Sequence, residues 1–145
     1  MMQRFRSKPT VITSLNAKVI ENKKVAAANK SKDQSFTDWT YIGDPGAPAF
    51  QNAAVNTDPT EVTYGKVAFI KNSSGWIQLT GQMTATATTT AFTLPQGFRP
   101  RKKLAFAVAN NVGSLTIVTI DPLGNVVGAS GTGYHLDNIS FRAEL

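Results

Sequence analysis

Cysteine is absent from the 145-residue chain, and histidine occurs once, at His135. The first absence excludes a disulfide framework and any cysteine-based metal site. Because His135 is the single histidine, a Ser–His–Asp triad would have one candidate base, and no serine has the setting of a nucleophile elbow. Asp44, Asp58 and Asp121 lie beside prolines or glycines, where aspartate forms turns rather than catalytic carboxylate pairs. No cluster of His, Asp and Glu has the spacing of metal ligands. We predict no enzymatic activity, no metal and no cofactor.

Long apolar runs are also lacking. No window approaches the roughly 18 consecutive apolar residues of a membrane-spanning helix. The first residues are basic, as in a signal peptide, but Pro9, Asn16, Lys18 and Glu21 interrupt the apolar run that should follow. We therefore expect no membrane partner and a chain that is soluble or incorporated into a particle.

The helix formers Glu and Leu are sparse, whereas Thr, Ala, Val, Gly and Asn are frequent. This bias favours strands joined by turns. The first clear hairpin consists of Val62 to Lys71 and Trp76 to Met83, with Ile77 and Leu79 pointing inward. The segment from Thr84 to Thr93 is almost entirely Thr and Ala, which indicates a thin strand or an edge strand.

The second half of the chain predicts further strands. Leu104 to Ala109 is continuously apolar, as expected for a strand buried on both faces, and Leu115 to Ile120 follows it. Asp121 to Asn125 (DPLGN) predicts a tight hairpin turn with a bulge. In the last segment the apolar alternation changes phase, which predicts a bulge at Asp137 and Asn138. Seven or eight short strands predict an all-β fold, an antiparallel, jelly-roll-like β-sandwich of unknown strand order.

Charge is placed unevenly along the chain. Residues 1–35 carry eight basic and two acidic side chains, and the remainder carries seven of each, so the whole net charge of +6 belongs to the N-terminal part. We divide the chain into a basic N-terminal arm, residues 1–42, and a head domain, residues 43–145.

The composition of the arm is compatible with three interpretations. It could be a solvated tail, or it could bind nucleic acid, although Phe5 is the only aromatic residue available for stacking on bases. Its apolar residues favour the third interpretation, an arm that docks on an acidic protein surface, and nucleic acid is not expected as a partner. The predicted docking residues are Arg4, Phe5, Arg6, Lys8, Val11, Ile12, Leu15, Lys18, Val19, Ile20, Lys23 and Lys24.

The segment FTLPQGFRPRKK, residues 92–103, concentrates four cations beside two prolines. Leu94 to Gly97 predicts a turn in which Pro95 fixes φ and Gly97 is free to take a positive φ. Because the acids of the head balance its cations, we expect Arg99, Arg101, Lys102 and Lys103 to pair across subunits or remain solvated rather than bind nucleic acid. The residues that define the turn are Phe92, Leu94, Pro95, Gly97, Phe98 and Pro100.

Five segments, GDPGAPAFQNAAVN, VAFIKNSSGWIQLTGQM, AFTLPQGFRP, SLTIVTIDPLGNVVGASG and YHLDNISFRAEL, occur in that order over roughly residues 43–142. This series resembles the small β-sandwich heads of bacteriophage tail-fibre and baseplate receptor-binding proteins, and of phage head-fibre or decoration proteins. The resemblance implies a homotrimer without catalytic residues, assembled in the host cytoplasm and located in the virion. Five aromatic residues are candidates for recognition, but a small sandwich needs their bulk, so we expect them in the core or in subunit interfaces: Trp39, Tyr41, Phe50, Trp76 and Tyr134.

The length of the arm bears on whether the head belongs on the capsid or on the tail. Receptor-binding heads usually follow a long shaft, whereas only a basic arm precedes this head. A trimer with three such arms suits a symmetric lattice, where modest contacts add up to high avidity. The first expectation is therefore a capsid decoration (cement) or head-spike protein bound to the major capsid protein or another virion protein. The alternative is a tail-fibre or baseplate receptor-binding or adaptor protein that recognises a host surface glycan or protein.

Overall fold

The computed structural model describes residues 38–128 and 133–144. The predicted docking residues, from Arg4 to Lys24, lie outside these ranges. Within them the chain contains strands and turns and no helix, which confirms the all-β prediction. The strands are β1 (Thr40–Tyr41), β2 (Val55–Asn56), β3 (Ala68–Lys71), β4 (Trp76–Thr80), β5 (Gln82–Thr84), β6 (Thr90–Thr93), β7 (Leu104–Ala109), β8 (Leu115–Ile120), β9 (Asn125–Gly128), β10 (Tyr134–His135) and β11 (Ser140–Arg142).

All strand pairs are antiparallel, and they form three sheets. The first sheet has the order β1-β3-β4-β11, the second β10-β5-β2 and the third β6-β9-β8-β7. One apolar core joins them, with Phe69 from the first sheet, Met83 from the second and Phe92 from the third all buried in the same cluster. Thr40 and Tyr41, which the sequence assigns to the arm, pair with Phe69 and Ala68 and so belong to the first sheet.

The β3–β4 hairpin is present as predicted, and Ile77 and Leu79 are buried. Its turn is held by Asn72, whose side-chain oxygen accepts hydrogen bonds from the backbone amides of Ser74 and Trp76. The predicted strand start at Val62 is wrong, since β3 begins at Ala68.

The chain before β3 folds around the carboxylate of Asp58 instead. This group accepts hydrogen bonds from the backbone amides of Thr60, Thr63 and Tyr64. These bonds curl the segment into a loop, which is incompatible with an extended strand.

The predicted strand from Trp76 to Met83 is divided at Gly81, where the chain passes from the first sheet to the second. Gly81 has φ +91°, and a Cβ at this position would overlap the backbone of Lys66. The carboxylate of Asp137 fixes the crossing by accepting hydrogen bonds from the Thr80 hydroxyl and the Gly81 amide. A positive φ and the close backbone approach together require glycine here.

The predicted bulge at Asp137 and Asn138 is wrong, because a turn closes there instead, with the Ile139 amide donating to the Leu136 carbonyl at 3.0 Å. At this turn the chain passes from β10 in the second sheet to β11 in the first. The two sheet changes lie side by side, since the Leu136 amide donates to the Gly81 carbonyl. They split two predicted strands into four, which is one reason why the described residues contain eleven strands rather than seven or eight.

Two predictions concern the third sheet. In the Thr/Ala segment, Thr84 ends β5 and Thr90–Thr93 forms β6, which is an edge strand, as the composition predicts. The prediction that Leu104 to Ala109 is buried on both faces is wrong: β7 is the opposite edge strand, with Ala105, Ala107 and Ala109 exposed. Alanine is small enough to leave the outer face of β7 apolar without bulk, and no further layer of the described chain covers it.

The turn after β8 has the predicted geometry. The Gly124 amide donates to the Asp121 carbonyl at 2.9 Å, which places Pro122 second and Gly124 fourth in the turn. Gly124 has φ +86°, as a glycine bulge in a hairpin requires.

Candidate interaction surface

The proline-rich segment after β6 is a structural element. The Phe98 amide donates to the Pro95 carbonyl at 3.1 Å, so the turn runs from Pro95 to Phe98, one residue later than predicted. Gly97 has φ +86° at the third position of this turn, which favours glycine in a type II turn. Phe92 and Leu94 are fully buried, and Pro100 is buried as well.

Aromatic contacts lock this turn to the first sheet. The ring of Phe98 meets that of Phe69 edge to face, with centroids 5.1 Å apart. The ammonium of Lys71 lies 5.5 Å from the centroid of the Phe98 ring and donates to the Gly97 carbonyl at 2.7 Å. Edge-to-face pairs of this kind add about 0.5–1.5 kcal/mol beyond area burial.

The four cations of the segment have different surroundings. Arg99 is half-buried, and its Nε donates to the Leu94 carbonyl at 2.9 Å. It therefore stabilises the turn within the chain, whereas the sequence predicted a solvated side chain or one paired with another subunit. Arg101, Lys102 and Lys103 are exposed. Sequence reasoning treated the four as one group because it could not see that one of them folds back.

The predicted aromatic candidates are also divided. Tyr134 is fully buried, and burial raises the pKa of its hydroxyl. Phe50 packs against the core with its ring 6.2 Å from that of Phe92. Trp76 and Tyr41 remain 48% and 37% exposed. By strand alternation and register they lie on the same outer face of the first sheet.

His135 belongs to a polar cluster between the second and third sheets. Its Nε2 lies 3.0 Å from the amide nitrogen of Gln82, which is itself 1% exposed and also contacts the side chain of Asn111 and the Gly133 carbonyl. The His135 ring meets Tyr64 edge to face at 5.4 Å. The imidazole therefore helps to satisfy a buried amide, which is a packing role.

The outer surface of the β7–β8 hairpin exposes two large apolar side chains of β8. Leu115 is 76% exposed and Ile117 44%. The register places Ile117 opposite Ala107 and Leu115 opposite Ala109. We call the exposed surface formed by Ala105, Ala107, Ala109, Leu115 and Ile117 the outer β7–β8 face.

One end of this face carries a pair of opposite charges. Lys103 precedes β7 and Asp121 follows β8. Burial by itself raises the pKa of the Asp121 carboxyl, but it is outweighed by hydrogen bonds from the amides of Asn125 and Leu123 and from the Asn125 side chain. The positive charge of Lys103 adds a smaller lowering of the same pKa. The β-strand part of the face bears no charge, so it is suited to packing against another apolar surface.

Within residues 38–128 and 133–144 no group of three or more His, Cys, Asp or Glu side chains is placed to hold a metal ion. The same residues include no helix that is long and apolar enough to cross a membrane. No protein-family model, curated protein or solved structure matches this chain. The resemblance to phage virion heads therefore stays a prediction.

Proposed function

We propose that this chain is a structural subunit of a bacteriophage particle, a trimeric capsid decoration (cement) or head-spike protein. In this proposal the antiparallel sheets form a jelly-roll-like β-sandwich head. The basic arm docks on the major capsid protein or on another virion protein. The order of five sequence segments described above supports the family, and the all-β architecture is compatible with it.

The observation that carries the proposal is the outer β7–β8 face. Leu115 and Ile117 expose large apolar side chains beside a row of exposed alanines on β7. Monomeric soluble proteins rarely leave such contiguous apolar surface exposed. Burying a Leu or Ile side chain fully contributes about 1.5–3 kcal/mol, so covering this face in every subunit stabilises an assembly substantially.

The proposed occupant of this face is a second copy of the same chain. None of the residues that define the face is charged, so like surfaces can pack around a symmetry axis without charge repulsion. At its end, Lys103 of one copy can meet Asp121 of the next. A nucleic acid or an acidic glycan would instead require positive charge on the face itself.

Particle composition tests the proposal. In purified virions a decoration protein is expected in amounts comparable with the major capsid protein, measured by quantitative mass spectrometry against isotope-labelled peptides. A copy number that is a small fraction of the capsid protein would overturn the decoration role and favour a head spike or the tail-borne alternative. Absence from purified virions would overturn a structural role in the particle.

The arm is tested separately. A chain lacking residues 1–35 should still form a folded trimer and should lose binding to capsids from which the protein has been stripped. Retained binding would place the docking surface in the head. A salt series distinguishes the contributions of charge and apolar anchors, because the binding of a basic arm to an acidic surface weakens as ionic strength rises.

A tail-borne receptor-binding or adaptor protein is the second candidate. It is favoured by the exposure of Trp76 and Tyr41 on one face of the first sheet, since exposed aromatic side chains commonly recognise glycans and proteins. Binding of the isolated protein to host cells, lost on replacing Trp76 with Ala, would support this alternative.

A further inference from the structure

A second surface of the head has a different chemistry. A groove of about 590 Å³ lies between β7 and β11, which is within the roughly 300–1,000 Å³ typical of ligand clefts. Leu104, Phe106 and Phe141 supply its apolar lining, and the rings of Phe106 and Phe141 lie 6.3 Å apart. Three exposed cations also line it: Arg101, Lys102 and Arg142.

The groove runs between two strand edges. In the described chain β11 is the last strand of the first sheet and β7 the last strand of the third. Immediately before β11 the Ile139 carbonyl accepts a hydrogen bond from the Leu79 amide, and immediately after β11 the Ala143 amide donates to the Gly75 carbonyl. Because antiparallel pairs alternate, the backbone groups of Ser140 and Arg142 then point away from β4, toward the groove.

The same reasoning applies to β7. The Asn110 amide donates to the Ser114 carbonyl at 2.9 Å, one pair beyond Ala109 and Leu115 in the register. Alternation from that bond leaves the backbone amides and carbonyls of Ala105 and Ala107 pointing away from β8. Both sides of the groove thus present backbone donors and acceptors that have no partner among residues 38–128 and 133–144, at the strand spacing that an added strand requires.

The cations of the groove are not engaged elsewhere in the described part of the chain. Arg101, Lys102 and Arg142 form no ion pair or side-chain hydrogen bond with residues 38–128 or 133–144, whereas neighbouring Arg99 is bound to the Leu94 carbonyl. The C-terminal end of β11 is held toward the same turn, since the Glu144 amide donates to the Arg99 carbonyl at 2.7 Å. Positive charge therefore stands on both sides of an apolar groove.

We propose that this groove binds an extended segment of a partner protein in which acidic and apolar residues alternate. Such a strand places its apolar side chains against Phe106 and Phe141 and its carboxylates against the three cations. Its backbone pairs with the free edge of β11 or of β7. A glycan would satisfy the cations but has no regular series of amides and carbonyls to match the strand edges.

The basic arm of this chain is the wrong occupant. Residues 1–35 carry eight basic and only two acidic side chains, so their charge opposes that of the groove. The groove borders the outer β7–β8 face at Ala105, which belongs to both, and the inference does not depend on the phage assignment. If the proposed function also holds, the groove is where the head binds an acidic and apolar strand of a neighbouring virion protein.

A synthetic peptide tests the proposal. The probe is a fluorescein-labelled hexapeptide of alternating valine and glutamate, titrated with the full-length protein and followed by fluorescence anisotropy. The matched control probe alternates valine and lysine. Saturable binding of the acidic peptide, at least about tenfold tighter than that of the basic one, is expected for carboxylates paired with arginine and lysine.

Two charge reversals separate the groove from general charge. Lys102→Glu changes a cation of the groove, and Lys66→Glu makes the same change at a lysine outside its lining. The first should weaken acidic-peptide binding about tenfold and the second less than about twofold. Equal effects of the two variants would mean that net charge alone attracts the peptide and would overturn the site. Thermal melting curves of both variants control for folding.

Backbone pairing has its own readout. Acidic-peptide binding should shift the NMR amide signals of Ser140 and Arg142, or those of Ala105 and Ala107. A peptide N-methylated on alternate amides along the pairing edge should bind much more weakly than one methylated on the opposite edge. Indifference to N-methylation would overturn strand addition.

Two further outcomes would also contradict the proposal. No binding of the acidic peptide at millimolar concentration in low salt would mean that the cations serve only to protect free strand edges from aggregation. Binding of a sialylated or sulfated oligosaccharide that is lost in Lys102→Glu, without binding of the peptide, would assign the groove to an acidic glycan instead.

Discussion

The two faces of the third sheet are built from the same strands and nearly the same amino acids, yet one is buried and the other is exposed. On the inner face Val108, Val118 and Ile120 are at most 1% exposed. On the outer face, the intervening residues Ile117 and Leu115 remain 44% and 76% exposed. Both faces are apolar, and only one is covered by the described residues of the chain.

The difference shows that an apolar strand face indicates a buried surface, but it does not indicate whether the covering layer comes from the same chain or from another one. The inner face is covered by the first and second sheets of the same chain, through the shared core. The outer face has equally apolar strand residues and lacks an equivalent layer among residues 38–128 and 133–144. We infer that another copy of the chain supplies it.

The largest expected effect distinguishes the two faces at isoleucines three residues apart on β8. Ile120→Ala should lower the free energy of unfolding by about 2–5 kcal/mol, because it empties space in a closed core. Ile117→Ala, the matched control, should cost under about 1 kcal/mol in a monomer, since no cavity forms at an exposed site. Urea titrations at a dilution where light scattering reports monomers measure both. Equal costs would mean that Ile117 is as well packed as Ile120 within one chain.

The next effect compares the two hairpin turns of the same sheet. Gly124 and Gly113 have φ +86° and +77°. A Cβ on Gly124 would lie 2.5 Å from the Leu94 carbonyl and 3.0 Å from the Arg99 side chain, whereas a Cβ on Gly113 would meet nothing within 4 Å. Gly113→Ala should cost about 1 kcal/mol through backbone strain alone.

Gly124→Ala adds a clash with backbone to the same strain, so its cost should clearly exceed that of Gly113→Ala. Thermal unfolding of the two variants beside the parent chain measures the difference. A Gly124→Ala variant no less stable than Gly113→Ala would contradict the close packing of this turn against the proline-rich turn after β6.

The smallest expected effect is a pH dependence at these same turns. Asp121 accepts hydrogen bonds from the amides of Leu123 and Asn125, and Asn110 plays the equivalent part for Val112 and Ser114. The folded pKa of Asp121 lies below its ordinary value of 3.8. Its contribution to stability is therefore present above pH 3.8 and is lost as the pH falls through the folded pKa.

Exchanging the two side chains tests this assignment. Asp121→Asn should reduce the loss of stability at acid pH, and Asn110→Asp should add to it by giving the second turn a carboxylate. Melting temperatures between pH 2 and pH 6 measure the slopes. A parent chain and an Asp121→Asn variant with identical acid slopes would show that the Asp121 bonds do not favour the ionised form.

Much of this architecture could be predicted locally. The Asp121 to Gly124 turn occurs as predicted, and the Asn72 to Gly75 turn closes the predicted hairpin. Each carries a side-chain acceptor and a glycine at the required position. The change of sheet at Gly81 could not be predicted, because a glycine within a strand pattern gives no sign of the Lys66 backbone and the Asp137 carboxylate that meet it.

The candidate surfaces were missed for a similar reason. A continuous apolar run such as Leu104 to Ala109 is compatible with a central strand or with an edge strand that faces another subunit. The position of β7 at an edge depends on strand order, which involves residues far away in sequence. The groove needs β7 and β11 together, and no local signal joins Arg101 with Arg142.

The mass of the full-length protein in solution tests the central claim most directly. Light scattering should report about three times 15.6 kDa, and the Leu115→Asp/Ile117→Asp double variant should report 15.6 kDa with the head still folded. A parent chain that stays monomeric at micromolar concentration, or a double variant that stays trimeric, would contradict the assignment of the outer β7–β8 face to subunit contact.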